Sequence, residues 1–182
     1  QPLIIDFKER FLPTVARNGM VVGAARLATE IGSQILQQGG NVVDAAVATG
    51  FALAVTYPRA GNLGGGGFML IHLAEGNRQV FIDYRETAPA AASRDLFLLP
   101  DGKEDLQREY FSLQASGVPG TVAGLLYALE TYGSLSRQEV LAPAIALAEN
   151  GIPVSFALSY ELLTGGQRLR QDPEALRLFY KP

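Results

Sequence analysis

From Val42 to Val55 the chain reads Val-Val-Asp-Ala-Ala-Val-Ala-Thr-Gly-Phe-Ala-Leu-Ala-Val, with a single charge and no polar face. The run is short for a membrane span and holds Asp44, so it reads as a helix buried on most sides. A helix of that kind dictates the rest, because other elements must cover it almost all round. Asn41 stands in the N-cap position, and Asp44, three residues on, complements the helix dipole. Its alanines and Gly50 allow close approach of a neighbouring sheet. Tyr57-Pro58 stops it.

The elements that could supply the cover follow from periodicity. Residues 1 to 19, with Pro2 and Pro13, read as an extended lead-in, and Met20 to Ala24 as a short strand. Leu27, Ile31 and Ile35 recur at helical spacing, with Gly39-Gly40 as the stop. Phe68 to Ala74 and Val80 to Glu86 read as two strands joined as a hairpin through Glu75 to Gln79. Phe68 to Leu73 is so continuously apolar that it predicts a central strand covered on both faces. Pro100-Asp101-Gly102 signals a turn within a weakly periodic stretch from Ala90 to Ser116. Gly117 to Gly120 leads into a helix with Thr121 as cap and Val122, Leu125, Leu126 and Leu129 on one face, ending at Tyr132-Gly133. Ser136 and Glu139 form a capping box for the next helix, in which Pro143 predicts a kink or a restart before Asn150-Gly151 closes it. Phe156 to Leu163 and Asp172 to Tyr180 complete the helices. The order is helices, a hairpin, then more helices, in one α+β piece of 182 residues.

Composition narrows the function. A hydrophobic share of 48% suits a globular core, and a net charge of −3 with no basic stripe argues against nucleic acid as a partner. With no cysteine, disulfides and thiolate metal sites are excluded. No cluster of His, Asp and Glu has metal-ligand spacing, so no metal site is expected. The glycine run Gly64 to Gly67 follows a helix and opens a strand, the reverse of a phosphate loop, and no Lys-Ser/Thr pair follows. Its glycines therefore serve positive φ, close backbone packing, or a surface that must lie flat against a ligand or partner. His72, the one histidine, sits within an apolar strand and reads as a packed core residue. Thr87, Ser93, Ser112 and Ser116 lack any nucleophile-elbow context. Arg85 is the one candidate with clear chemistry. It lies at a strand-to-loop junction within Asp83-Tyr84-Arg85-Glu86-Thr87-Ala88-Pro89, and its planar fork matches a carboxylate bidentately. Spacing leaves two readings open: a structural ion pair with Asp83 or Glu86, or an anchor for an acidic small molecule. Asp83 and Glu86, with Arg85 beside them, stay ionised and suit a structural role better than proton transfer.

Four segments add a resemblance. Gln38 to Ala48, Gly61 to Met69, Asp83 to Pro89 and Gly117 to Gly124 together look like the γ-glutamyltransferase (γ-glutamyltranspeptidase) family, in that family's order, over a match running from about Gly19 to the C-terminus. The resemblance implies part of an N-terminal nucleophile hydrolase αββα sandwich. Residues 1–182 are then a single incomplete domain, the N-terminal portion of the large subunit of a precursor that cuts itself. It implies γ-glutamyl transfer or hydrolysis of glutathione and related amides, with the nucleophilic threonine in a downstream part, so no catalytic residue is assigned here and no cofactor is implied.

The expected partners are the small subunit or C-terminal remainder of the same precursor, a γ-glutamyl donor, and an amino-acid or peptide acceptor, with no nucleic acid and no membrane span. By position, Arg85 is the family arginine that grips the donor's α-carboxylate, while Gly64 to Gly67 and Asn41 to Ala48 belong to the core sandwich and Asp83 and Glu86 hold Arg85 and its loop. Alternatives are a glutaryl or cephalosporin acylase on the same scaffold, and a non-catalytic binding relative. By family analogy the protein is periplasmic or extracellular. The start at Gln1 predicts either removal of something upstream or a trimmed N-terminus, and the stop just after Tyr180 reads as an interruption. Alone, this piece is expected to expose strand edges and an apolar face and to be poorly folded or self-associated.

Overall fold

The computed structural model describes residues 14–166 and 169–180, so most of the extended lead-in lies outside the described residues. Two helices come first, α1 (Arg26–Gln37) and α2 (Val42–Thr56). α1 buries Ala28, Ile31 and Ile35 against α2. The helices cross closely at Gly32, where a Cβ would lie 2.2 Å from Thr49 Oγ1 and 3.2 Å from the Ala45 carbonyl oxygen. Gly39, at φ +95°, takes the left-handed conformation after α1. α2 is buried at Val43, Asp44, Ala45, Val47, Ala48, Thr49, Phe51 and Ala52, as its lack of a polar face requires.

The hairpin follows: β1 (Phe68–Leu73) and β2 (Arg78–Asp83), antiparallel, with Phe68 opposite Asp83 and Leu73 opposite Arg78. Positive φ at Gly76 (72°) and Asn77 (46°) makes the turn. The helices after it are α3 (Leu106–Phe111), α4 (Thr121–Tyr132), α5 (Arg137–Asn150), α6 (Phe156–Thr164) and α7 (Pro173–Phe179). α2 is the hub, packed on α1, α4 and α5. Leu125, Ala128 and Leu129 of α4, Val140 and Ala144 of α5, and Ile71 and Ile82 of the hairpin close the core around it. α7 is tied to α6 through the Tyr180 hydroxyl, which donates toward the Leu162 carbonyl at 2.8 Å.

Several expectations are corrected. Met20 to Ala24 is not a strand, because neither strand of the described sheet pairs with it, and Val22 is exposed. β1 is not covered on both faces. Met69 and Ile71 point inward with Val80 and Ile82, while Phe68, Leu70 and Phe81 are exposed on the other face of a two-stranded sheet. His72 shares that outer face and is exposed, not packed in a core. Gly50 meets a helix and not a sheet, with a Cβ there 3.1 Å from Leu125. Thr121 is the first residue of α4 and is buried; Gly120 holds the N-cap position without a side-chain bond. The buried face of α4 is Thr121, Gly124, Leu125, Ala128 and Leu129, with Val122 exposed. α5 runs without interruption past Pro143, so the expected restart does not occur; Val140 and Ala144, on either side of the proline, are both buried and hold it down. α3 was not legible as a helix. The Asp105 carboxylate accepts the Arg108 amide at 3.1 Å to start it, but it is a single short segment with no buried residue.

Candidate functional site

Three separate segments meet at the end of β2. The Gly67 amide and carbonyl exchange hydrogen bonds with Tyr84, at 3.4 and 3.0 Å, extending the hairpin by one pair. The Gly65 carbonyl accepts the amides of Gly120 and Thr121 at 2.8 and 2.9 Å, joining the glycine loop to the start of α4. Thr87 and Val118 pair through both their amides, at 3.3 and 2.8 Å. The Thr121 hydroxyl reaches Asn62 Oδ1 at 3.3 Å, and the Asn62 amide holds the Ala60 carbonyl at 2.8 Å. The loop, the β2 end and the α4 start are thus one hydrogen-bonded unit.

Close packing explains the glycines here. A Cβ at Gly66 would lie 2.6 Å from the Tyr84 carbonyl oxygen, and one at Gly120 would lie 2.0 Å from the same atom. None of Gly64 to Gly67 has positive φ, so backbone approach, and not left-handed geometry, is what these residues supply. The Tyr84 ring, half-buried, fills the space beside α4, and burial raises its phenol pKa above the usual value.

Arg85 leaves this unit on the exposed side. Its amide donates to Asp83 Oδ1 at 3.0 Å. Its guanidinium makes no ion pair or hydrogen bond among the described residues, so the ion pair with Asp83 or Glu86 that spacing left open does not form. Asp83 does hold the loop, through the Arg85 backbone. Glu86 is exposed and has no side-chain hydrogen bond among the described residues. Contrast Arg59, which borders a cleft of about 390 Å³ lined also by Leu162, Leu169 and Phe179, but whose guanidinium is engaged by Glu161. Arg85, by contrast, carries an unengaged guanidinium on a backbone that Asp83 holds at its amide.

Ser112 donates its hydroxyl to the Arg108 carbonyl at 2.6 Å, and Ser93 and Ser116 are exposed. Among the described residues, no group of three or more His, Asp or Glu is placed to hold a metal, and no helix is long and apolar enough to cross a membrane.

One residue reaches further than its spacing suggested. Asp44 is fully buried and, besides capping the Asn41 amide at 2.7 Å, accepts the amides of Ser134 and Leu135 and the Ser134 hydroxyl, at 2.9, 3.2 and 2.6 Å. Burial alone would raise its pKa. The Ser134 hydroxyl and these amides outweigh it and hold the carboxyl below its ordinary value. Asn41 adds a bond from its side-chain amide to the Tyr132 carbonyl at 2.8 Å. The N-terminus of α2 is thereby tied to the α4–α5 connection. The pairing partner ninety residues on left no mark in the sequence near Asp44. Gly124, a glycine inside a helical pattern, was the one local sign that something packs tightly on α4. That something is Tyr84, whose Cγ lies 2.2 Å from where a Gly124 Cβ would stand.

The gamma-glutamyltranspeptidase family model matches residues 28–182. The glutathione hydrolase proenzyme of Escherichia coli (strain K12) is 49% identical over 172 residues, which are 94% of this chain and 30% of that protein. The acylase ACY 1 proenzyme of Pseudomonas sp. (strain V22) is 41% identical over 178 residues, 94% of this chain and 32% of that protein. The crystal structure of Helicobacter pylori gamma-glutamyltranspeptidase superposes with a TM-score of 0.89 at 40% identity, covering 93% of this chain and 48% of that one. This chain therefore spans about a third of the length of these curated relatives. Its α+β fold, a helical layer on a hairpin, is part of the N-terminal nucleophile hydrolase fold. The chain belongs to the gamma-glutamyltranspeptidase family.

Proposed function

We propose that this chain is the N-terminal part of the large subunit of a self-cleaving γ-glutamyl transferase and hydrolase, a single domain that the rest of the precursor completes, and that Arg85 binds the α-carboxylate of the donor. The observation that supports it most is the unpaired guanidinium of Arg85 on a backbone pinned by the glycine loop, Asp83 and the start of α4. A bidentate pair with a carboxylate needs that combination: a charge not already neutralised, and a position that does not wander.

In this reading no atom of the chain forms or breaks a bond. The N-terminal threonine of the small subunit, outside this sequence, attacks the γ-carbonyl of glutathione or a related amide. Its proton passes by way of its own amine to the departing nitrogen, leaving a γ-glutamyl ester. Water then releases glutamate, or the amine of an amino acid or peptide takes the acyl group, and the threonine is restored. The transfer is redox-neutral and asks for no cofactor. The chain's own part is to hold the donor so that its γ-carbonyl presents to the threonine. The reaction belongs to the periplasm or the cell exterior.

Sequence similarity to an acylase proenzyme favours one second reading. A glutaryl amide keeps the distal carboxylate that Arg85 would grip and lacks only the α-amine. Turnover of γ-glutamyl-p-nitroanilide by the full-length precursor product, with and without glycylglycine, beside turnover of the glutaryl anilide, separates the two. Faster release from the γ-glutamyl substrate, stimulated by glycylglycine, is expected. Release from the glutaryl substrate alone would overturn the transferase reading.

A further inference from the structure

We infer that Tyr84 is a positioning residue for Arg85, seated in a socket formed by Gly67, Gly120 and Gly124, and that this socket sets how strongly the site prefers a donor carrying an α-carboxylate. The inference rests on the reading of Arg85 above and goes a step further into the scaffold.

The geometry is specific. Tyr84 is the residue before Arg85, and its backbone and ring are enclosed by positions that admit no side chain. A Cβ at Gly120 would stand 2.0 Å from its carbonyl oxygen; at Gly124, 2.2 and 2.3 Å from Cγ and Cβ; and at Gly67, 2.9 Å from Cε2. These three glycines come from two segments more than fifty residues apart in sequence and close on one residue. The Tyr84 hydroxyl has no hydrogen-bond partner among the described residues, so what the residue supplies is ring volume and not a polar contact. The ring rests on a fixed helix and the Gly67 backbone, and the next Cα along is that of Arg85. Because Arg85 itself is exposed and makes no side-chain hydrogen bond or ion pair among the described residues, the direction in which its guanidinium leaves the surface is set by the Tyr84 anchor together with the Asp83 bond to its amide. An arginine fork aligned with a carboxylate loses its second bond when its base shifts by about an ångström, a misplacement that costs on the order of tenfold or more.

The test compares two donors in the full-length precursor product: γ-glutamyl-p-nitroanilide, and the same anilide with its α-carboxylate converted to the carboxamide. The ratio of kcat/KM between them is measured for wild type, Arg85→Ala, Tyr84→Leu, Tyr84→Phe and Gly67→Ala. Tyr84→Leu is expected to cut the preference for the carboxylate about tenfold, chiefly through KM. Tyr84→Phe restores the wild-type preference, because it keeps the ring. Gly67→Ala, which pushes the ring without removing it, shifts the preference in the same direction and decides the matter where Tyr84→Leu yields no folded enzyme. Equal losses on both donors, or an unchanged ratio in Tyr84→Leu and Gly67→Ala while Arg85→Ala abolishes the preference, overturns the role of Tyr84 alone. A preference that survives Arg85→Ala overturns the reading of Arg85 and this inference with it.

Discussion

Replacing Asp44 by alanine tests how the fold is held together. The carboxylate is fully buried and accepts three backbone amides and one hydroxyl, from Asn41, Ser134 and Leu135. Alanine leaves those donors, on half-buried Asn41 and Leu135 and exposed Ser134, without a charged acceptor. Each unsatisfied buried group costs about 1–3 kcal/mol, but a relaxing loop recovers part of it. The lost charge at the N-terminus of α2 adds roughly 0.3–1 kcal/mol. The sum expected is about 2–4 kcal/mol, because the exposed Ser134 donors regain water. Ser134→Ala removes only the hydroxyl and should cost about 1 kcal/mol. Because both changes act through the same carboxylate, their double variant should be less destabilised than the sum of the two. Hydrogen exchange over residues 133 to 136 and over the first turn of α2 reads the effect where it arises. Faster exchange in both segments together is expected for Asp44→Ala in the full-length protein. Unchanged exchange at Ser134 and Leu135, with loss confined to the first turn of α2, would show that Asp44 is a local cap only and refute the reasoning.

Further predictions follow from the same structure. The Asp44 carboxyl titrates below its ordinary value in the folded state, so its contribution is present above the unfolded value, near pH 4, and is lost as pH falls through the folded one. The difference in denaturation midpoint between wild type and Asp44→Asn should therefore shrink below about pH 4; a constant difference down to pH 2 would contradict it. Gly32→Ala places a Cβ 2.2 Å from Thr49 Oγ1 and 2.9 Å from Val21 Cγ1, so it should destabilise by about 1–3 kcal/mol through overpacking, visible as a lowered melting temperature. The isolated chain leaves Phe68, Leu70 and Phe81 exposed on one sheet face, so it should bind a hydrophobic dye and self-associate as concentration rises. A sharp, reversible, concentration-independent melt would oppose that.

The parts of this fold that were legible in sequence are those fixed by local chemistry. Asn41 with Asp44, and Ser136 with Glu139, announced two helix starts because a capping box closes within four residues. The hairpin was legible because the apolar runs are short and the turn between them is polar. Burial was harder. Phe68 to Leu73 looks the same to a periodicity argument whether both faces are covered or one stands open, and here Phe68 and Phe81 stack at 5.8 Å on the open face. The short strand expected at Met20 to Ala24 failed because a strand is defined by its neighbour, and no neighbour is written in those five residues. At the candidate site, Arg85 was found from its own chemistry and its place at a strand end. Whether it was paired or free could not be read, since Asp83, two residues before, and Glu86, one after, are both within reach in sequence; in the structure Asp83 takes the Arg85 amide and leaves the guanidinium alone. The Tyr84 socket was hidden because its walls come from two distant segments.

The measurement that bears most directly on the central claim is steady-state turnover of γ-glutamyl-p-nitroanilide by the full-length precursor product beside its Arg85→Ala and Arg85→Lys variants. Loss of a charge-assisted pair worth about 1.5–3 kcal/mol predicts a KM raised roughly 10- to 150-fold in Arg85→Ala with kcat much less affected, and a partial recovery in Arg85→Lys, which keeps the charge but not the fork. A KM unchanged in Arg85→Ala, in enzyme that has self-cleaved normally, would contradict the account.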